Sequence, residues 1–311
     1  MPSPDVALPS EVDALVVGAG PGGLSAATWL ARHRRSVLVV DSGEQRNRWV
    51  TASHGYLGAD PTDPSELLEA ARRDLGRYGT ARRHDGTVAT LRHRGGRGFD
   101  ATLDGGGGVR ARRVVLATGV VDEFPDLPRF FDFYGRTVLH CPSCDGYEAR
   151  GADVVAVGWS RDVAGFAAGL LEWASSVTIL TDGRRFEGDR DLRRHLGGLG
   201  VAIHTDDVVE LCGDDGELQA LRLRSGRVQP CRFAFFTIAH HPRGDLARQL
   251  GCELTPEGCV VVDERRQTSV QGVYAAGDVT PGMQYVQRAA ADGAVAGTAC
   301  ALSLRDELLA G

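Results

Sequence analysis

The chain has 311 residues, a length that suits two domains with filled cores, and its composition is that of a globular protein with many glycines, 41 in all. A net charge of −6, with arginines scattered rather than clustered, argues against a nucleic-acid partner. No apolar run approaches the ~20 residues of a membrane span, and the opening MPSPDVALPS has neither the charged nor the apolar region of an export leader.

In chain order, DALVVGAGPGGLSAATWLARH reads as strand, glycine turn and helix, with Leu15–Val17 as a buried parallel strand. SVLVVD is the next strand and ends on Asp41. Gly18, Gly20 and Gly23 make a G-x-G-x-x-G between that first strand and its helix. Gly18 permits the turn, Gly20 lets backbone approach a pyrophosphate, and Gly23 allows helix to pack on strand. The helix N-terminus then faces the phosphates, and Asp41 is placed for a ribose hydroxyl. The motif alone does not choose between NAD and FAD.

LRHRGGRGFDATLDGGGGVRARRVVLATG reads as a hairpin leading into a buried strand, Val114–Ala117, and a proline-rich link, DEFPDLP, follows. A second strand–turn–helix–strand unit starts at ADVVAVGWSRDVAGFAAGLLEW and ends in SVTILTD. After FAFFTIAHHP the chain reaches GVYAAGDV and a final helix over Gln287–Ala310. Two such units imply an α/β fold with two related domains.

Between them lies HCPSCDGYE, His140 to Glu148. Cys141 and Cys144 admit three readings. Zinc needs about four ligands, and no second C-x-x-C or H-x₃-H accompanies the pair. A structural disulfide over so short a loop stabilises little and is out of place in a reducing compartment. Redox cycling between dithiol and disulfide suits the spacing best. Seven cysteines in a chain without a leader point to the cytoplasm. Cys212, Cys231, Cys252, Cys259 and Cys300 read as buried, inert thiols.

The set GAGPGG, ATG, CPSCDG and AAGD, in this order, resembles the low-molecular-weight thioredoxin reductases over about residues 12 to 305. The resemblance implies two Rossmann-like domains, an FAD domain interrupted by a second, nucleotide-binding-like one. The expected boundaries are residues 1–120 and 242–311 for the FAD domain and 121–241 for the CxxC-bearing domain. It implies that FAD is held by Gly18, Gly20, Pro21, Gly22, Gly23, Asp41, Ser42, Arg46, His54, Val88, Ala117, Thr118, Gly119, Gly277, Asp278 and Gln287. Asp278 would meet the ribityl–phosphate region, Gln287 the isoalloxazine edge, and His54, in SHGYLG, the flavin. By the same resemblance Cys144 is the flavin-proximal sulfur and Cys141 the interchange sulfur that bonds to substrate. Asp145 moves the thiol proton, with His140 as a second candidate. The family also implies a homodimer and no metal.

The second glycine motif departs from the family pattern. In VGWSRDVAG, Gly158 remains, but Ser160 and Val163 replace the next two small residues and Trp159 adds bulk where a pyrophosphate must come close. In LTDGRRFEG the arginines that read a 2′-phosphate are gone. Asp182, Gly183 and Glu187 hold their places, and Arg184 and Arg185 stand out of register. Two carboxylates repel a phosphate; an acid after the strand suits the free ribose of NADH better. The second domain therefore reads as degenerate, with electrons entering through the cysteine pair. That pattern resembles the dithiol oxidases that close the disulfides of small natural products such as gliotoxin and holomycin. There a small dithiol and O₂ give a disulfide and H₂O₂, in biosynthesis or self-protection. Gly146–Tyr147–Glu148 shares that resemblance, with Asp145 where many members carry His. Phe130, Phe131, Phe133 and Tyr134 are candidates to line the substrate pocket. A thioredoxin or other disulfide reductase, fed by NAD(P)H or ferredoxin, stands as the alternative.

Overall fold

The computed structural model of the protein describes residues 8–310. Residues 1–7, part of the segment read for an export leader, lie outside the described residues, as does Gly311. The chain forms two units. The first gathers residues 1–48, 64–121 and 240–311; the second gathers 49–63 and 122–239. The chain passes between the units near residues 121 and 240, and residues 49–63, read with the first segment, group with the second unit.

In the first unit the strands run in the order Ala81–Asp85, Val37–Asp41, Glu11–Val17, Gly108–Leu116, Phe99–Leu103, Val88–His93. The first four are parallel neighbours, so Leu15 pairs with Leu38 on one side and Val114 on the other. The long strand Gly108–Leu116 works twice. Gly108–Ala111 pairs antiparallel with Phe99–Thr102, and Val114–Leu116 pairs parallel with Val273–Ala275. A strand buried on both faces needs apolar residues at every position. Leu15 and Val17 enter one core cluster, Ala14 and Val16 the other. Each fully buried aliphatic side chain contributes roughly 1.5–3 kcal/mol.

The helix Pro21–Arg32 packs on the final helix, Val286–Ala310, through glycines. A Cβ on Gly293 would fall 2.0 Å from the Gly22 oxygen, and one on Gly297 would fall 2.4 Å from the Ala26 oxygen. Gly22 thus lies at a backbone-close helix crossing as well as in the glycine turn.

The second unit repeats the arrangement. Asp153–Val157 is flanked by Ser176–Leu180 and then Ala202–His204 on one side, and by Phe233–Phe236 and Val138–Leu139 on the other, all parallel. A three-stranded antiparallel sheet, Val208–Asp214, Glu217–Leu223 and Val228–Pro230, belongs to the same unit. Each unit is therefore an α/β, Rossmann-type layer with the helix after its first strand opening on a glycine turn. No helix among the described residues is long and apolar enough to cross a membrane.

Candidate functional site

Gly18 has φ +97, and a Cβ there would lie 2.3 Å from the Ala117 oxygen. Only glycine fits that turn. Gly23 is tighter still, with an added Cβ 1.8 Å from the Gly18 oxygen. Gly20 differs in kind, since a Cβ there would meet nothing within 4 Å. Gly20 precedes the helix with no side-chain cap, and Pro21 follows at the first helical position. The first-turn N–H groups are thus available to an anion, and the space before Gly20 is open. This cradle fits a dinucleotide pyrophosphate.

Asp41 Oδ1 accepts from the Ala19 N–H at 2.9 Å, which ties the strand end to the turn, and Oδ2 lies 3.8 Å from Arg72. Ser42 is exposed beside it. Arg46 comes within 3.5 Å of Asp278 and donates to Gln284 at 2.5 Å, so two expected cofactor residues meet in one ion pair. Asp278 sits in a tight turn, Gly277–Val279, whose first residue has φ +76. Thr118 donates its hydroxyl to the Arg243 oxygen at 2.7 Å, and the Arg243 N–H donates to Gly119 at 2.9 Å. Gln287 is exposed near the start of the last helix. The Val88 side chain is buried in the core, which leaves only its backbone for a ligand. Arg72, Arg243 and Gln284 were not legible in the sequence, because each is brought to the motif by tertiary contact alone.

In the second unit the corresponding turn is filled by its own chain. A Cβ on Gly158 would strike Thr237 Oγ1 at 2.3 Å and Val163 at 3.0 Å, so this glycine is demanded by packing. The Trp159 ring carries the Arg184 guanidinium 3.8 Å from its centroid, and the Trp159 oxygen accepts from Glu187 N–H at 2.9 Å. Asp182, at φ +50, accepts from the Val208 N–H at 2.9 Å, so one of its oxygens is already engaged.

The cysteine pair lies in the second unit. Cys141 precedes the short helix Pro142–Asp145 in extended conformation, and its oxygen accepts from both Cys144 and Asp145 N–H at 3.1 Å. That turn brings the two sulfurs together as a disulfide with Cα atoms 5.2 Å apart. Gly146 is required by Trp173, whose ring a Cβ would meet at 2.5 Å. His140 Nδ1 lies 2.7 Å from the Tyr134 hydroxyl, and the two rings stack.

Around Asp145 stands an acid–base cluster. Burial pushes its carboxyl up to about 7, the charge of Glu148 adds to this, and His54 opposes it. His54 Nδ1 lies 3.1 Å from Asp60 Oδ1, and Nε2 lies 3.6 Å from Glu148 Oε1. The structure thus places His54 in the second unit, beside Glu148 and within electrostatic reach of Asp145. Glu148 and Asp60 were not singled out from the sequence for this role. The spacing of three from Asp145 to Glu148 was the available signal. Among the described residues no three His, Cys, Asp or Glu side chains converge as metal ligands do.

Two expectations need correction. Phe130, Phe133 and Tyr134 are core residues, with Phe130 packed on Tyr134 and Phe236. Of the proposed pocket aromatics only Phe131 is exposed, against Trp49 at 4.6 Å. Cys212 and Cys259 are half-buried rather than buried. Burial pushes the Cys231 and Cys300 thiols up to about 12, which keeps them out of thiolate chemistry.

Residues 12–293 match the family described as pyridine nucleotide-disulphide oxidoreductase. The chain is 32% identical to "Thioredoxin reductase tcpT" of Claviceps purpurea, covering 96% of this chain and 95% of that one. It is 31% identical to "Thioredoxin reductase sirT" of Leptosphaeria maculans, covering 93% of each. Among solved structures, that of HlmI superposes with a TM-score of 0.92 at 35% identity, over 98% of this chain and 96% of the other.

Proposed function

We propose that this chain, which belongs to the pyridine nucleotide-disulphide oxidoreductase family, oxidises a small-molecule dithiol to its intramolecular disulfide with O₂ as acceptor, giving H₂O₂. Family members are FAD-binding flavoproteins, and FAD is the cofactor of this enzyme. Gly18, Gly20 and Gly23 with Asp41, Arg46, Thr118 and Asp278 would hold it. Once bound, it supplies a two-electron acceptor for the reduced cysteine pair and an outlet to O₂.

The residues of the chain do the thiol chemistry. A substrate thiolate attacks Cys141 Sγ, and Cys144 Sγ leaves with the electron pair. The second substrate thiol, once deprotonated, displaces Cys141 and closes the product disulfide. Asp145 takes the proton of the incoming thiol, a task that suits a carboxyl held at about 7.

One observation carries this reading: in the second glycine turn Trp159, stacked under the Arg184 guanidinium, and Ser160 stand where the first turn has Ala19 and the open Gly20. On this reading the second turn no longer takes a nicotinamide dinucleotide, and the cysteine pair is the port for electrons. A homodimer working in the cytoplasm, in biosynthesis of or protection against a disulfide natural product, completes the proposal.

The relatives named thioredoxin reductases favour a second reading, a thioredoxin or disulfide reductase, which would be driven by NAD(P)H or ferredoxin. The discriminating experiment follows flavin absorbance without oxygen while NADPH, NADH and then a small dithiol are added, with air admitted last. Bleaching by the dithiol alone, reversed by air, supports the oxidase. Prompt bleaching by a nicotinamide overturns it in favour of the reductase.

A further inference from the structure

We propose that Glu148 and His54, backed by Asp60, form a second proton acceptor for thiol exchange at Cys141–Cys144, acting through Asp145 as positioning residues. This rests on the reading of the pair as a dithiol acceptor. Electron and proton balance calls for such a group. In the first step the substrate sulfur bonds to Cys141 Sγ, the Cys141–Cys144 bond breaks, and Cys144 leaves as a thiolate. The proton of that first thiol stays on Asp145. In the second step the other substrate sulfur bonds to the first, the bond to Cys141 breaks, and Cys141 Sγ leaves with the electron pair as a second thiolate. The substrate has then lost two electrons to the pair and two protons to the protein. Asp145 is already protonated when the second thiol must ionise, so that proton needs another acceptor.

The geometry supplies one. After the short helix a turn, with Ala149 N–H donating to Gly146 at 3.1 Å, keeps Glu148 within electrostatic reach of Asp145. Glu148 Oε2 is buried without a hydrogen-bond partner among the described residues, an uncommon state for a carboxylate oxygen. Its other oxygen faces His54 Nε2 at 3.6 Å. With a carboxylate beside each ring nitrogen, the His54 imidazole bridges Glu148 and Asp60 and is placed to relay a proton from one to the other. The chain of groups ends at the surface: His54 is 24% exposed and its partner Asp60 51% exposed. Arg150, the neighbouring cation in sequence, is committed to the Tyr147 ring and oxygen, and His140 Nδ1 to Tyr134.

The test uses the FAD-loaded enzyme with Glu148→Gln and His54→Gln. 2-Mercaptoethanol reads the first attack alone, as a mixed disulfide weighed by mass spectrometry; dithiothreitol reads attack and closure. At pH 8, Glu148→Gln forms the monothiol adduct at the wild-type rate but closes the dithiothreitol adduct at least about tenfold more slowly. The pH inflection of the exchange moves down in Glu148→Gln, where a neighbour that raises the Asp145 carboxyl is lost, and up in His54→Gln, where one that lowers it is lost. Asp60→Asn gives a smaller shift in the His54→Gln direction and keeps the test open if either variant fails to fold. Closure at the wild-type rate with an unmoved inflection overturns the second acceptor. A wild-type enzyme that forms no adduct with either thiol overturns the dithiol reading itself, a separate outcome.

Discussion

Replacing Asp145 with asparagine tests the central acid–base assignment through two independent readouts. Raising a carboxyl from 3.8 to about 7 costs its ionised form at most about 4 kcal/mol. The sign follows from the direction of the shift. The folded state holds the proton more tightly than the unfolded state, so this stability is fully present below about 4 and is lost as pH rises through about 7. Asp145 keeps partial contact with water, and screening brings the expected loss to about 2 kcal/mol. About two-thirds of that loss, roughly 1.3 kcal/mol or about 3–5 °C in melting temperature, falls between pH 5 and pH 8 in the wild type. Asp145→Asn does not titrate, so it melts like the wild type at pH 5 and several degrees higher at pH 8. The kinetic readout runs the other way. With an inflection at about 7, roughly a tenth of the wild-type base is ionised at pH 6 and roughly nine-tenths at pH 8. Dithiol-driven reduction of the enzyme therefore slows about 100-fold in the variant at pH 8 and much less at pH 6. Equal pH slopes of melting and of rate in the two proteins would falsify the assignment of Asp145 as the base.

Other perturbations separate binding from packing and one sulfur from the other. Gly20→Ala leaves the melting temperature of the FAD-free protein within about 2 °C but weakens FAD at least about tenfold in fluorescence titration, because the new methyl meets only the space meant for the ligand. Gly23→Ala instead fails in the FAD-free protein, since its Cβ is driven to 1.8 Å from backbone; equal effects of the two substitutions would remove the distinction. Cys144→Ser keeps FAD and loses dithiol-driven bleaching, whereas Cys141→Ser keeps a thiolate and shows a long-wavelength charge-transfer band. Turnover at the wild-type rate in either variant would mean the two roles are misassigned. Isothermal titration of NADH and NADPH shows no binding to the wild type at millimolar concentration; a saturating isotherm would mean that Trp159 and Arg184 move aside.

Much of this was legible in the chain itself. Runs such as Leu15–Val17 and Val114–Leu116 are apolar at every position because both faces of a parallel strand are buried. The glycine turn, Asp41 and the cysteine pair were readable because each function confines residue type at short spacing. What the sequence hid lies in long-range contacts. Arg72 meets Asp41, Arg243 meets Thr118 and Gly119, and His54 meets Glu148, all across separations where no pattern links one residue to the other. The aromatics misread as pocket lining show the converse limit. Phe130 and Phe133 follow an ordinary core pattern, and only the exposure of each ring tells lining from packing.

The two glycine turns show why motif survival and ligand binding come apart. Gly18 and Gly158 occupy equivalent places after the first strand of their units, and a Cβ on either would meet an oxygen at 2.3 Å. Both are therefore required by the fold, whatever binds. The difference lies two residues on. Gly20 faces open space, while Ser160 follows a tryptophan capped by Arg184. That exposed cation–π contact contributes only about 0.5–1 kcal/mol, too little by itself to bar a dinucleotide. On the proposed reading the barrier is the sum of this contact, the missing glycine, the Glu187 bond to the Trp159 oxygen and the Asp182 carboxylate already engaged with Val208. Restoring function there would require undoing each, so a Trp159→Gly, Ser160→Gly double variant is expected to gain no measurable NADPH-driven bleaching. Gain of such bleaching from those two changes alone would show that the loop after Leu180 was never the obstacle.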